Sequence, residues 1–143
     1  KRIPYYEKIL KELDLGLEDK LYNKVNLLSG GQRQALSMLM AVMSNPKLLL
    51  LDEHTAALDP KTSLKIMEIT EKIVKERSLT TIMITHNLKQ AIKTGNRLIM
   101  MHRGKVLIDV KGEEKSKLTT EKLMNLFKEA SFNEDLGDRS LLA

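Results

Sequence analysis

Two acidic residues in a row, Asp52 and Glu53, follow the four consecutive leucines Leu48 to Leu51. An apolar strand that delivers Asp and then Glu to a crevice suits metal-assisted phosphoryl chemistry. The first carboxylate can hold Mg2+ through its waters, and the second can orient a nucleophilic water. A polar turn closing a strand is the competing reading, since acids after strands are common. A second group lies upstream, where Leu28-Ser29-Gly30-Gly31-Gln32 opens a helix. Ser29 with Gln32 three residues later is a capping box that any helix can use. Each glycine, however, costs a helix about 1 kcal/mol relative to alanine. Two in a first turn serve stability poorly but let backbone amides close around a ligand, and at a helix N-terminus the natural ligand is a phosphate. The third group is His86, after the run Thr81 to Thr85. Its imidazole is either an inert helix-start residue or, if residues 48–51 and 81–85 are parallel neighbouring strands, a group near Glu53 that hydrogen-bonds a terminal phosphate. Asp59 before Pro60 is accounted for by helix capping, which does not exclude another role. His54 and His86 with the carboxylates match no zinc-ligand spacing, and His54 is expected to point along a loop.

The elements that must position these groups alternate helix and strand. Tyr6 to Leu13 has helical spacing and ends near Gly16, and a polar stretch, Glu18 to Asn26, follows. Gly31 to Ser44 is apolar almost all round, which predicts a buried helix stopped by Asn45-Pro46. Leu48 to Leu51 reads as a central strand buried on both faces. The helix opened by Asp59-Pro60 turns Leu64, Ile66, Met67, Ile69, Ile73 and Val74 toward a sheet. After the strand Thr81 to Thr85 come a short helix, Leu88 to Lys93, and a hairpin of Leu98 to Met101 and Val106 to Val110. A last helix, Thr120 to Ala130, carries Leu123, Met124, Leu126 and Phe127 as its buried stripe. Strand and helix in alternation predict a layered α/β domain with sites beyond the carboxyl ends of its strands.

Composition narrows the function further. The 143 residues and 42% hydrophobic content predict one compact domain with a real core. The absence of cysteine removes disulfides, thiolate zinc sites and Cys nucleophiles, and suits a cytosolic-type protein. The longest apolar run, Met38 to Met43, is far short of the roughly 18 residues a membrane span needs, and the N-terminus lacks an apolar signal core. Any membrane role therefore goes through a partner. With 24 Lys and Arg against 19 Asp and Glu the net charge is +5, spread over helix surfaces. Three tyrosines and two phenylalanines offer no stacking platform, so no nucleic-acid partner is expected.

Taken in order, these residues resemble the ATP-binding cassette (ABC) ATPases. Leu28 to Gln34 resembles their signature motif, Leu48 to Glu53 their Walker B strand with its catalytic glutamate, Ala57-Leu58-Asp59 their D-loop, and Thr85-His86 their switch histidine. The likeness spans most of residues 1–112. His54 stands where the family has proline. The chain holds no G-x-x-x-x-G-K-[ST] phosphate loop, its one Gly-Lys pair being Gly104-Lys105, and no glutamine precedes Gln32 to supply a Q-loop.

The resemblance implies a partial P-loop NTPase-type α/β fold with an incomplete sheet. Residues 1–130 would be the C-terminal part of the ATPase domain: 1–45 the signature side of the helical subdomain, 46–112 the core strands and 113–130 a C-terminal helix. Residues 131–143 would form an acidic flexible tail. It further implies two cassettes sandwiching two ATP molecules. Ser29, Gly30 and Gly31 would contact the γ-phosphate bound on the opposite copy, with Gln32 supporting the loop. Asp52 would help hold Mg2+ through water, Glu53 would act as general base, His86 would stabilise the transferring phosphate, and Asp59 would couple the two sites. The implied partners are a second ATPase copy, a transmembrane permease and, for an importer, an extracellular solute-binding protein. The implied place is the cytoplasmic face of the cell membrane, and the implied role is import of a small solute. The alternatives are a soluble non-transport cassette ATPase and a non-enzymatic dimerisation module. This chain alone is expected to be inactive, and its uncovered sheet edges to favour self-association or a marginal fold.

Overall fold

A proline and an asparagine punctuate the first helices. Pro4 lies in the first turn of α1 (Ile3–Lys11), where its missing N–H costs nothing, and the helix accordingly starts ahead of the expected Tyr6. The computed structural model describes residues 2–140, with side chains through Phe132. It divides into two compact units, Lys1–Ile84 and Thr85–Ala143, a division that falls inside the 46–112 segment. Lys1 and residues 141–143 of the expected tail lie outside the described residues.

In the first unit, two 3-10 turns, Glu18–Lys20 and Val25–Leu27, occupy the polar stretch between α1 and α2 (Gly30–Met43). Asn45 adopts a left-handed φ of 50° just past α2, and Pro46 ends any continuation. Next come β1 (Leu48–Asp52), α3 (Pro60–Glu76) and β2 (Thr80–Ile84). The two strands pair in parallel, from Leu48 opposite Thr80 to Asp52 opposite Ile84. One core joins Ile9, Leu10 and Leu13 to Ala35, Met38, Leu39 and Val42 of α2, Leu49 and Leu51 of β1, and Ile66, Ile69 and Ile73 of α3.

In the second unit, α4 (Leu88–Lys93) precedes an antiparallel hairpin of β3 (Arg97–His102) and β4 (Lys105–Lys111), with a register shift between Met100 and Met101. Arg97 and Asp109 pair across it at 2.7 Å. Then come α5 (Gly112–Ser116) and α6 (Thr120–Ser140). Leu98, Ile108, Val110 and Leu123 form the core, with Leu88, Ala91, Ile92 and Phe127 packed against it. Lys115 is buried and donates to the Ile92 carbonyl. Burial holds its ammonium below the usual lysine range. Short α5 carries no apolar periodicity to announce it. No proline stands in the last helix, which runs on past Ala130 to Ser140.

Burial departs from the periodicity in four places. The sequence predicts β1 covered on both faces, but Leu49 and Leu51 are buried while Leu48 is 45% and Leu50 66% exposed. Ile82 and Ile84 of β2 are exposed too. A strand needs a packed layer on each side to hide both faces, and the core of the first unit supplies one. Likewise α2 is buried along one face only. Leu36, Met40 and Met43 line an apolar groove with Tyr6 and Leu21. Leu64 at the start of α3 is exposed, beyond the reach of the core that takes Ile66 and Ile69. On α6, Leu123 and Phe127, one helical turn apart, face the core, whereas Met124 and Leu126 are exposed. Among the described residues no helix is long and apolar enough to cross a membrane.

An exposed apolar strip of this kind promotes association. Sedimentation velocity on the 143-residue chain should show concentration-dependent self-association. The double change Leu50→Lys and Ile82→Lys, at two exposed positions, should shift the chain toward monomer without lowering its thermal midpoint. Association equal to the parent's would place the sticky surface elsewhere.

Candidate functional site

The glycine-containing turn is built first by its cap. Ser29 is the N-cap of α2: its hydroxyl accepts from the Gln32 amide at 3.2 Å, and the Gln32 side-chain oxygen accepts from the Ser29 amide at 3.1 Å. Gln32 is held further, by Lys20 Nζ on Oε1 at 3.1 Å and by donation from Nε2 to the Leu15 carbonyl at 2.9 Å. Both ends of that side chain are thus committed to the fold, which gives it a supporting role. Arg33 closes the turn from the other side by donating to the Leu28 carbonyl at 2.5 Å. The leading amides of α2, those of Gly30 and Gly31 among them, have no acceptor within the helix.

Gly31 also has a packing reason that spacing alone does not reveal. A Cβ there would lie 2.3 Å from Thr62 Cγ2, whereas one on Gly30 would meet Leu58 Cδ2 at 3.3 Å. A Cβ on the first glycine, on an exposed turn, would need only a small shift of the Leu58 side-chain end. The second lets α2 approach the first turn of α3.

The acidic pair sits where β1 ends. Asp52 is the last strand residue, opposite Ile84, and Glu53 donates its amide to the Ile84 carbonyl at 2.9 Å. Glu53 adopts φ of 43°, a left-handed conformation rare outside glycine and asparagine, and its carbonyl accepts from the Ala56 amide at 2.9 Å. Both acids are exposed. The turn continues through a bond from the Leu58 amide to the Thr55 carbonyl and ends at Asp59, N-cap of α3. Asp59 Oδ1 accepts from the Thr62 amide at 3.0 Å, and hydrogen bonding to Thr62 holds its carboxyl below the usual carboxylate range. Capping therefore fully accounts for its geometry. His54 does not follow the loop outward as the sequence suggests. It is half-buried, with Nε2 3.2 Å from the Thr70 hydroxyl, which itself donates to the Ile66 carbonyl. Burial lowers its pKa. The apolar wall of α3 draws the ring inward.

His86 is exposed and belongs to the second unit, two residues beyond β2, because that strand ends at Ile84 and not at Thr85. Its neighbours are fixed by a small network. Thr85 Oγ1 donates to Gln90 Oε1 at 3.0 Å and accepts from the Asn87 amide at 3.1 Å, while Asn87 Oδ1 accepts from the Gln90 amide at 3.2 Å. Spacing misses Gln90, although Asn87 and Gln90, three apart, carry the cap signal.

Among the described residues no group of three or more His, Asp or Glu could hold a metal ion as a protein cage. An exposed carboxylate at a strand end instead fits Mg2+, which binds through one or two carboxylates, keeps several waters and shares substrate phosphates.

A parallel strand ending in Asp-Glu and a capped glycine turn on a neighbouring helix define an α/β fold of the P-loop NTPase type, matching ABC ATPase cassettes. The chain matches part of an ABC transporter ATPase cassette, and its sequence holds no G-x-x-x-x-G-K-[ST] phosphate loop. The family description "ABC transporter" matches residues 5–56. A tyrosine transport ATP-binding protein of Clostridioides difficile is 54% identical over 87% of this chain and 49% of its own length. A methionine import ATP-binding protein of Bacillus cereus is 38% identical over 73% of this chain and 32% of its own. The chain thus spans half or less of the curated relatives it matches. Among solved structures, a dimeric post-hydrolysis state of an ATP-binding cassette bound to ADP and Pi aligns with TM-score 0.58 at 37% identity, over 73% of this chain and 44% of that one. The ADP conformation of another ABC transporter cassette aligns with TM-score 0.69 at 27% identity, over 89% of this chain and 50% of that one.

Urea unfolding should separate strain from packing. Glu53→Gly relieves the left-handed penalty and should stabilise the chain by about 1 kcal/mol. Gly31→Ala should cost about 1–3 kcal/mol through overpacking against Thr62, and more than Gly30→Ala. Equal effects of the two alanine changes would remove the packing role of Gly31.

Proposed function

We propose that the complete protein is the ATP-hydrolysing subunit of an ABC transporter that imports a small solute, working at the cytoplasmic face of the membrane with a permease and a second ATPase copy. The observation that carries this reading is the Asp52-Glu53 pair at the end of a parallel strand, with Glu53 held in a left-handed turn. The functions of the relatives, tyrosine transport and methionine import, support an amino-acid solute, and an importer of this kind would also work with an extracellular solute-binding protein. The dimeric cassette supports pairing of two copies.

In this reading Asp52 would hold the water shell of Mg2+, and the ion would neutralise the charge on the phosphoryl group that ATP supplies. Glu53 accepts the proton of the attacking water, and its fixed backbone gives the carboxylate one approach. His86 hydrogen-bonds the transferring phosphate and stabilises the charge that develops there. Ser29, Gly30 and Gly31 present a helix N-terminus to the γ-phosphate on the opposite copy, with Gln32 locking the turn from behind. Asp59, adjoining the same turn through Thr62, couples the two sites. Hydrolysis then opens the pair and resets the permease.

The complete protein should bind ATP and hydrolyse it, and Glu53→Gln should retain ATP while lowering turnover at least about a hundredfold. The 143-residue chain alone should show neither micromolar ATP binding nor turnover, for want of a phosphate loop. Full turnover by Glu53→Gln would remove its role, and robust hydrolysis by the chain alone would overturn the missing-half reading.

A further inference from the structure

The residues on either side of His86 are held more tightly than a helix start requires. An N-cap needs one bond, here from the Gln90 amide to Asn87 Oδ1. Thr85 adds two more: its hydroxyl accepts from the Asn87 amide and donates to the Gln90 side chain. The donation has a definite consequence. A threonine hydroxyl rotates to suit its partners, and an acceptor at Gln90 Oε1 takes its proton and turns a lone pair toward the Asn87 amide. The chain is thereby tied immediately before and immediately after His86, across the one residue between them. Gln90 is itself anchored, because it lies on α4, whose Leu88, Ala91 and Ile92 pack on the core of the second unit. The far end of α4 is fixed as well, by the buried Lys115 on the Ile92 carbonyl.

We propose that Gln90 is the positioning residue for His86: through the Thr85 hydroxyl it sets the backbone that aims the imidazole, without touching the nucleotide. The inference rests on the reading of His86 as the group that meets the transferring phosphate. A hydrogen-bond acceptor is the required chemistry at position 90, so a glutamate serves and an alanine does not. Thr85 and Gln90 act as a unit, and losing either releases the same constraint.

Two measurements test it. In the 143-residue chain, amide hydrogen exchange at Asn87 should quicken about tenfold in Gln90→Ala and stay near the parent rate in Gln90→Glu, in line with an amide whose acceptor is no longer oriented. In the complete protein, Gln90→Ala should lower kcat about 10- to 100-fold with the KM for ATP unchanged, the mark of a misaimed group rather than lost binding. Gln90→Glu should restore kcat, and Thr85→Val should match Gln90→Ala, with the double change no worse than either alone. His86→Ala run alongside separates the two levels. If it is impaired while Gln90→Ala turns over normally, or if Asn87 exchange is unchanged in Gln90→Ala, the positioning role is overturned. If His86→Ala keeps full turnover, the reading of His86 fails first and the inference falls with it. If Gln90→Ala does not fold, the Thr85→Val and Gln90→Glu results decide.

Discussion

The bond from the Glu53 amide to the Ile84 carbonyl is the constraint on which the acidic end of β1 depends. A left-handed glutamate costs about 1–2 kcal/mol. A backbone hydrogen bond returns about 0.5–1.5 kcal/mol net. The bonds to Ile84 and from Ala56 together therefore roughly offset the strain. The turn that carries Glu53 is consequently more stable where β2 lies in register beside β1. A slip of one residue in that pairing would move the Ile84 carbonyl out of reach and turn every side chain of β2 to the other face. Leu49 and Leu51, buried in the core, hold β1 in place, so burial in the strand and chemistry at its end are one requirement.

The glycine turn shows a different division of labour. Its parts all come from within the first unit: Ser29 and Gln32 make the cap, Lys20 and Leu15 grip Gln32, and Arg33 ties back to the Leu28 carbonyl. The same unit explains Gly31 by the closeness of Thr62. Of the pair, exposed Gly30 is the one whose packing demands less, because a Cβ there would meet only the end of the Leu58 side chain, at 3.3 Å. Structure thus separates two glycines that the spacing treats alike: one is needed for helix packing, and the other leaves more open backbone.

Local punctuation made much of the fold legible. Asp59-Pro60 marks the start of α3, Asn45-Pro46 the end of α2, and Leu88 to Lys93 and the hairpin fall where the pattern of apolar and turn residues puts them. Which faces are covered was not legible. Leu50 and Met40 are as apolar as Leu49 and Met38, and only the presence or absence of a neighbouring layer separates them. Position along a periodic run reports what a side chain would tolerate, not what stands opposite. The same limit hides His54, since Thr70 lies sixteen residues away and meets it only once α3 has folded back. At the site, the residue types Asp52, Glu53, Ser29 and His86 announce themselves, whereas Thr62 and Gln90 show in the spacing only as cap partners of Asp59 and Asn87, and the contact of Lys20 with Gln32 shows in no spacing.

The residues with chemistry and the residues with support differ in a consistent physical way. Asp52, Glu53, His86 and Gly30 are exposed. Their supports make more than one hydrogen bond each: Gln32 at both ends of its amide, and Thr85 as donor and acceptor at once. Exposed groups keep solvent contact, which suits them to receive a phosphate and a metal that arrive with water. Supports that were equally exposed would exchange their bonds with solvent and let the aimed groups drift. A site that needs precision without burial must therefore place its fixed points one residue away from its reacting ones. That is the arrangement at half-buried Thr85 and exposed His86.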